Sequence, residues 1–290
     1  MTPWIVAANT GIVTGLLMAA CVLGLAIAYR LFNFPDLTVE GSFLLGAVGM
    51  AVAQRQGLPA GVSLAAGAAL GAAAGALTAL VHARFGVNKF LAGIIVSAIC
   101  YTAGLRLMGA SNIGLLGETT FLDRPDGVGK VATLLVLVGA MCAALHSALR
   151  SRAGLRLRTA GCNPAYAAML GINVGRSLMI TLGITNALAA LSGGLLAVHQ
   201  GFADIGLGQG ILIVGLASLT VGERLVPQRR LTLVAYVLAA SVGGGVAYQL
   251  LMAFAIRLGL NPVDLKLVTA LFVLMLVATR VRDRHDPSLQ

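Results

Sequence analysis

A chain of 290 residues with 58% hydrophobic and 10% charged side chains is not a soluble domain, where charged residues run at about 25%. Repeated apolar runs of span length make it an all-α, polytopic membrane bundle, and they exclude a β-barrel, whose strands are short alternating segments. The net charge of +10 comes without any basic patch interleaved with aromatics, which argues against nucleic acid; Lys and Arg belong instead in cytoplasmic loops.

In chain order the pattern predicts spans at about 4–29, 34–54, 59–81, 89–108, 129–149, 177–200, 203–222, 231–256 and 263–279, so about eight or nine in one transmembrane domain covering 1–290. The first has no positive n-region before it and is too long for a signal h-region, so a retained span is expected. The second is interrupted by "NFPDLTVEGSF" (Asn33 to Phe43). In the third, Gly67, Gly71 and Gly75 form a small-residue stripe that lets helices approach closely, either within the chain or at a subunit interface. The sixth ends in His199 and Gln200, read as polar tips at the membrane interface. The four cysteines have no metal-ligand spacing and read as small packing residues, with no disulfide framework.

Basic residues orient the chain. With the N-terminus outside, the inner ends hold Arg30, Arg84, Lys89, Arg150, Arg152, Arg156, Arg158, Arg176, Arg224, Arg229, Arg230, Arg280, Arg282 and Arg284. The outer ends hold Arg55, Arg106, Arg124, Lys130, Arg257 and Lys266. The split of 14 against 6 favours an outside N-terminus and a cytoplasmic C-terminus.

The interruption occurs twice. "FPDLTVEGSFLL" (Phe34 to Leu45) matches "FADIGLGQGILI" (Phe202 to Ile213) at Phe34/Phe202, Asp36/Asp204 and Leu37/Ile205, an offset of 168 residues. In the predicted topology the two copies have opposite orientations. Inverted repeats with discontinuous helices at matching positions mark transporters. A broken helix exposes backbone that is tolerated only beside protein or a watery cavity. Asp36 and Asp204 are placed to cap the half-helices or to touch solute, and Glu40 suits the same helix dipole. Phe34, Thr38, Phe202 and Gln209 complete the candidates for a path or gate.

The loop "RSRAGLRLRTAGCNPAYAAMLGINVGR" (Arg150 to Arg176) carries a punctuated helix. Asn163 suits the N-cap, Pro164 the first helical position and Gly171 the position after the end. The helix, Pro164 through Ala165, Tyr166, Ala167, Ala168 and Met169 to Leu170, is too short to stand alone and needs a docking partner.

Together this loop, the span "LMITLGITNALAALSGGLLAVHQG" and the "FPDLTVEGSF" break resemble the permease subunits of bacterial ABC importers. The branch is that of the branched-chain amino acid and ribose permeases, and within it the subgroup linked to tryptophan/tyrosine-type import and to unassigned substrates. The resemblance covers nearly the whole chain. It implies a bacterial inner-membrane protein with a second permease chain as a homodimer, two cytoplasmic ATPase subunits, an extracytoplasmic solute-binding protein and surrounding lipid. It also implies that the short helix couples to the ATPase and that the broken helices line the path. The chain has no G-x-x-x-x-G-K-[ST], so ATP and Mg belong to a partner, this chain needs no cofactor of its own, and it is not an enzyme. Few polar residues besides Asp36, Thr38, Glu40, Asp204 and Gln209 line the breaks, which suits an amino acid or similar small solute better than a sugar. The alternative is a proton- or sodium-coupled secondary transporter with Asp36, Glu40 or Asp204 as its ion site.

Overall fold

The computed structural model describes residues 3–115, 127–227, 231–261, 264, 267–271 and 274–275. It is a helical bundle. In chain order the elements are α1 (Pro3–Ala26), a widened π-turn (Ile27–Leu31), α2 (Thr38–Arg55), α3 (Ala60–Phe85), α4 (Lys89–Met108), β1 (Asn112–Gly114) and α5 (Gly127–Arg150). There follow α6 (Arg152–Cys162), α7 (Pro164–Met169), α8 (Val174–Gln200), β2 (Phe202–Asp204), α9 (Ile211–Leu225) and α10 (Leu233–Arg257).

Among the described residues six helices are long and apolar enough to cross a membrane: α1 with its π-turn, α3, α4, α5, α8 and α10. The two expected broken spans are shorter. At 1.5 Å per residue, α9 with its 15 residues covers only about 22 Å of a hydrocarbon core of about 30 Å. The expected ninth span, 263–279, is described at 264, 267–271 and 274–275 and is helical over the last two stretches; its other residues, with Arg124, Arg229, Arg230, Lys266, Arg280, Arg282 and Arg284, lie outside the described residues.

The halves are related by the same 168-residue offset that links the two interruptions. The helices α1, α2 and α3 correspond to α8, α9 and α10. At the centre Thr185 Oγ1 donates to the Gly24 carbonyl (3.1 Å) and Ser192 Oγ donates to the Leu17 carbonyl (2.7 Å). Residue numbers therefore fall along α1 as they rise along α8, so the two helices run antiparallel. Moving Gly24 forward by the offset gives Ser192, and moving Thr185 back gives Leu17, so the two contacts are images of each other. The third helix of each half packs on the first helix of the other, α3 along α8 and α1 along α10. This exchange makes one core of two inverted repeats.

Lipid tails give helices no hydrophobic reason to associate, so close backbone packing must hold the bundle together. The glycine stripe of α3 does this inside the chain. A Cβ on Gly67 would lie 2.7 Å from the Gly46 carbonyl oxygen, one on Gly71 2.4 Å from that of Asn186, and one on Gly75 2.1 Å from that of Leu182. Of the two readings of the stripe, it is the intramolecular one that the structure shows.

The segment joining the halves holds α5, α6 and α7, which have no counterpart in the repeat. The helix α6 was not expected. It is capped by Ser151, whose Oγ accepts from the Gly154 N–H (3.2 Å). All four cysteines are free, with Cys21 and Cys100 buried, Cys142 half-buried and Cys162 exposed.

Candidate functional site

At the first break the chain leaves the π-turn through Asn33, in the left-handed region with φ 48°. Phe34 returns to the core, buried edge-on against His82 with ring centroids 5.5 Å apart. It was expected near a path and instead anchors the turn, because burying its ring is worth more than exposing it. Asp36 is 1% exposed. Its Oδ1 accepts from the Thr38 N–H (2.9 Å), capping α2, and its Oδ2 accepts from Asn186 Nδ2 (2.6 Å) on α8. The Thr38 hydroxyl meets the Thr78 hydroxyl at 2.6 Å, and Thr78 donates to the Ala74 carbonyl (3.1 Å) on α3. Asp36 and Thr38 thus tie α2 to α8 and α3 in a sealed polar cluster.

Sequence reasoning missed Asn186 and Thr78. The signal was available for Asn186: a lone carboxamide inside a long apolar helix needs a buried partner. Also missed was the ion pair of Arg30, at the end of the π-turn, with Glu223 of α9.

The second break is built differently. After α8 ends at Gly201 (φ 78°), β2 pairs antiparallel with β1 in the register Asn112↔Asp204, Ile113↔Ala203 and Gly114↔Phe202. Leu115 N–H donates to the Gly201 carbonyl (2.8 Å) and Ile205 N–H to that of Ser111 (3.0 Å). The irregular backbone is thereby satisfied within the protein. Phe202 and Asp204 sit in this ribbon. Asp204 does not cap α9, against expectation. Its Oδ1 accepts from the Gly206 N–H (2.7 Å), closing a local turn. The reason lies in the residues that follow: Gly206, Gly208 and Gly210 let the chain make successive turns before α9 begins at Ile211.

The cap of this second half-helix comes from the first break. Glu40 Oε1 accepts from the Gly210 N–H (3.0 Å). Gly208 is the repeat counterpart of Glu40, and the two touch: a Cβ on Gly208 would lie 2.2 Å from the Glu40 carbonyl oxygen. The two breaks therefore meet at equivalent positions, near the axis that relates the halves.

Beside the second break lies a cavity of about 510 Å³ between α1, α9 and α10, whose lining includes Thr14, Gln200, Gln209, Val214 and Gln249. Of the sequence candidates only Gln209 faces it. Asp36 and Phe34 border a separate void of about 110 Å³ that is otherwise almost wholly apolar.

The loop helix α7 stands as its punctuation predicts. Asn163 Oδ1 accepts from the Tyr166 N–H (3.0 Å), Pro164 is the first residue, Leu170 follows the last turn and Gly171 has φ 72°. Tyr166, Met169 and Leu170 are exposed, with Met169 at 86%. Ala167 is a correction to the expected docking set. It is fully buried in a cluster with Leu31, Phe32, Ala160 and Leu178, since the amphipathic face of so short a helix must rest on the protein.

A family model described as branched-chain amino acid transport system / permease component matches residues 7–279. The chain belongs to this permease family. It is 33% identical over 264 residues to a tyrosine transport system permease protein of Clostridioides difficile, covering 91% of this chain and 88% of that one. It is 27% identical over 278 residues to an uncharacterized protein of Rickettsia prowazekii, covering 94% and 98%. A ribose import permease protein of Escherichia coli is more distant, 28% identical over 198 residues and covering 64% and 60%. No solved structure matches. The chain is thus a multi-pass membrane permease component of an ABC-type transport system.

Proposed function

We propose that this permease forms the translocation path of an ATP-driven importer for an amino acid or a similar small solute. It pairs with a second copy of itself, takes solute from an extracytoplasmic binding protein, and couples through the 150–176 loop to a cytoplasmic ATPase that binds ATP and Mg. The N-terminus is outside and the C-terminus cytoplasmic, as the split of basic residues favours. The observation that carries the coupling is α7. A capped six-residue helix rests on the bundle through Ala167 and turns Tyr166, Met169 and Leu170 outward, in a loop that carries Arg150, Arg152, Arg156, Arg158 and Arg176. Exposed apolar side chains in a basic loop suit a protein groove better than solvent. The amino-acid reading is supported by the relative named for tyrosine transport.

The secondary-transporter reading is weaker, because each of the three acids already accepts from a backbone N–H: Asp36 from Thr38, Asp204 from Gly206 and Glu40 from Gly210. Reconstitution with the cognate ATPase and binding protein separates the two. Uptake of solute only with ATP is expected. Uptake driven by a sodium or proton gradient without ATP would overturn the reading. Within the complex, Met169→Glu is expected to lower solute-stimulated ATP hydrolysis at normal membrane levels.

A further inference from the structure

Helix α6 begins on the end of α5 and ends on the π-turn. Gly154 lies against the Ala148 carbonyl and Leu149, and Gly161 lies against the Leu31 carbonyl, with no room for a Cβ at either. The helix is thus pinned at both ends while its middle spans a gap. Under it, between α5, the π-turn and the first turns of α8, lies a crevice of about 190 Å³. Its wall is mainly apolar, with Leu145 of α5, Ile27 and Leu31 of the π-turn, Leu157 of α6 and Ile180 and Ile184 of α8. Ile180 and Ile184 are exposed and lie on a helix long and apolar enough to span a membrane, so the crevice opens at the level of the bilayer.

Three polar side chains of the described residues line it. Two are satisfied within the protein: Ser151 Oγ donates to the Ala148 carbonyl (2.6 Å) and Thr181 Oγ1 to the Ser177 carbonyl (2.9 Å). The third is Arg158. Its Nε is buried without a partner among the described residues, and no described carboxylate pairs with its guanidinium. An unmet charged donor at the edge of an apolar slot is costly, so the site calls for an anionic acceptor joined to an apolar group. That is the chemistry of a phospholipid. The planar guanidinium binds a phosphodiester through paired N–H groups, and an acyl chain fills the slot. A free phosphate would leave the slot unfilled, and a cytoplasmic ATPase stays outside the bilayer.

The composition of α6 agrees. Arg152, Arg156 and Arg158 are interleaved with Leu155 and Leu157, as in helices that lie on an anionic membrane surface. Its two flanks differ. Arg156 lines a separate recess with Leu170, Gly171 and Arg176, beside α7, and belongs with the coupling surface, whereas Arg158 faces the crevice.

We propose that the crevice under α6 binds an anionic phospholipid, with its phosphodiester on Arg158 and one acyl chain between α5 and α8. In the topology given above the lipid comes from the inner leaflet. Asn163 alone separates α6 from α7, so a lipid that steadies α6 also steadies the coupling helix. That consequence rests on the coupling reading above; the site itself does not.

The test uses the permease–ATPase complex purified in nonionic detergent, without solute or ATP, and counts bound lipid by native mass spectrometry. Wild type is expected to retain phosphatidylglycerol in preference to phosphatidylcholine, and inorganic phosphate should not displace it. Arg158→Gln should weaken phosphatidylglycerol binding by about fivefold, the worth of one basic contact, with phosphatidylcholine unchanged. Arg158→Lys should keep part of the preference, which separates loss of charge from loss of fold. Ala148→Trp fills the slot and should weaken both lipids. Equal phosphatidylglycerol binding by wild type and Arg158→Gln overturns the proposal. So does displacement by inorganic phosphate, which would mean a plain anion site. Loss of the ATPase from Arg158→Gln with lipid binding intact also overturns it, by giving the arginine to the partner. Because the binding assay needs neither solute nor ATP, its failure leaves the importer reading standing, and failure of ATP-driven uptake leaves the lipid site standing.

Discussion

At the first break a carboxylate is sealed among three helices, with a backbone N–H and a carboxamide as its partners. At the second break the equivalent carboxylate serves a local turn, a short ribbon replaces the extended entry, and the helix that follows borrows its cap from the other copy. The same pattern of phenylalanine, acid and apolar turn thus supports two constructions. What separates them is the residue set just beyond the acid. Thr38 and Val39 lead straight into a helix, whereas Gly206, Gly208 and Gly210 delay it by several residues. A duplicated transporter half can keep its topology while one copy becomes a clamp and the other an opening.

The largest contrast is expected at one repeat position. Gly46 and Val214 are counterparts, yet a Cβ on Gly46 would lie 2.0 Å from the Ala190 carbonyl oxygen, while Val214 borders the cavity. Overpacking typically costs about 1–3 kcal/mol, and a backbone neighbour has no rotamer to move, so Gly46→Val should fall at or above the top of that range. Membrane-inserted protein and the apparent Tm in detergent should drop sharply. Val214→Gly should leave both near wild type. Similar losses in the two variants would mean that the halves are equally packed and the comparison is wrong.

A smaller contrast is expected between the acids. Asp36→Leu leaves the Thr38 N–H buried without an acceptor and takes from Asn186 Nδ2 one of its two acceptors, the Leu182 carbonyl remaining, at about 1–3 kcal/mol for the unsatisfied group. Asp204→Leu removes one half-exposed turn contact and should cost about 1 kcal/mol. Asp36→Asn retains an acceptor for the cap but turns an amide toward the amide of Asn186. It should therefore be harmful by itself and partly rescued by Asn186→Asp. The apparent Tm of the four forms makes a double-mutant cycle; additive losses would show that the two side chains do not interact.

Much of this could be read before any coordinates. The 168-residue repeat, the break at Asp36 and the caps of α7 at Asn163 and Gly171 are local patterns, and local hydrogen bonds fulfil them. The rest depended on contacts between distant segments. β2 needs Asn112–Gly114, which is remote in sequence and too short to announce a strand. Asp36 needs Asn186, 150 residues away. Ala167 looks like any other alanine of α7 until the surface beneath it is known. Asp204 matches Asp36 in sequence, but the glycines that follow it, Gly206, Gly208 and Gly210, delay the helix and leave it serving a local turn.

The smallest effect is expected at the point where the breaks touch. Glu40 belongs to α2, and its carboxylate caps α9 through the Gly210 N–H. Removing a capping acceptor costs about 0.5–2 kcal/mol, and the cost should fall on the second half although the mutation lies in the first. Glu40→Ala should raise amide hydrogen exchange at 208–214 while leaving α2 protected. Glu40→Gln keeps an oxygen at the same reach, loses only the charge, and should exchange close to wild type. If the faster exchange appears in α2 instead, Glu40 serves its own helix. If Glu40→Gln is as damaging as Glu40→Ala, the negative charge matters more than the acceptor, and the favourable field of that charge at the N-terminus of α9 becomes the better account of how one break steadies the other.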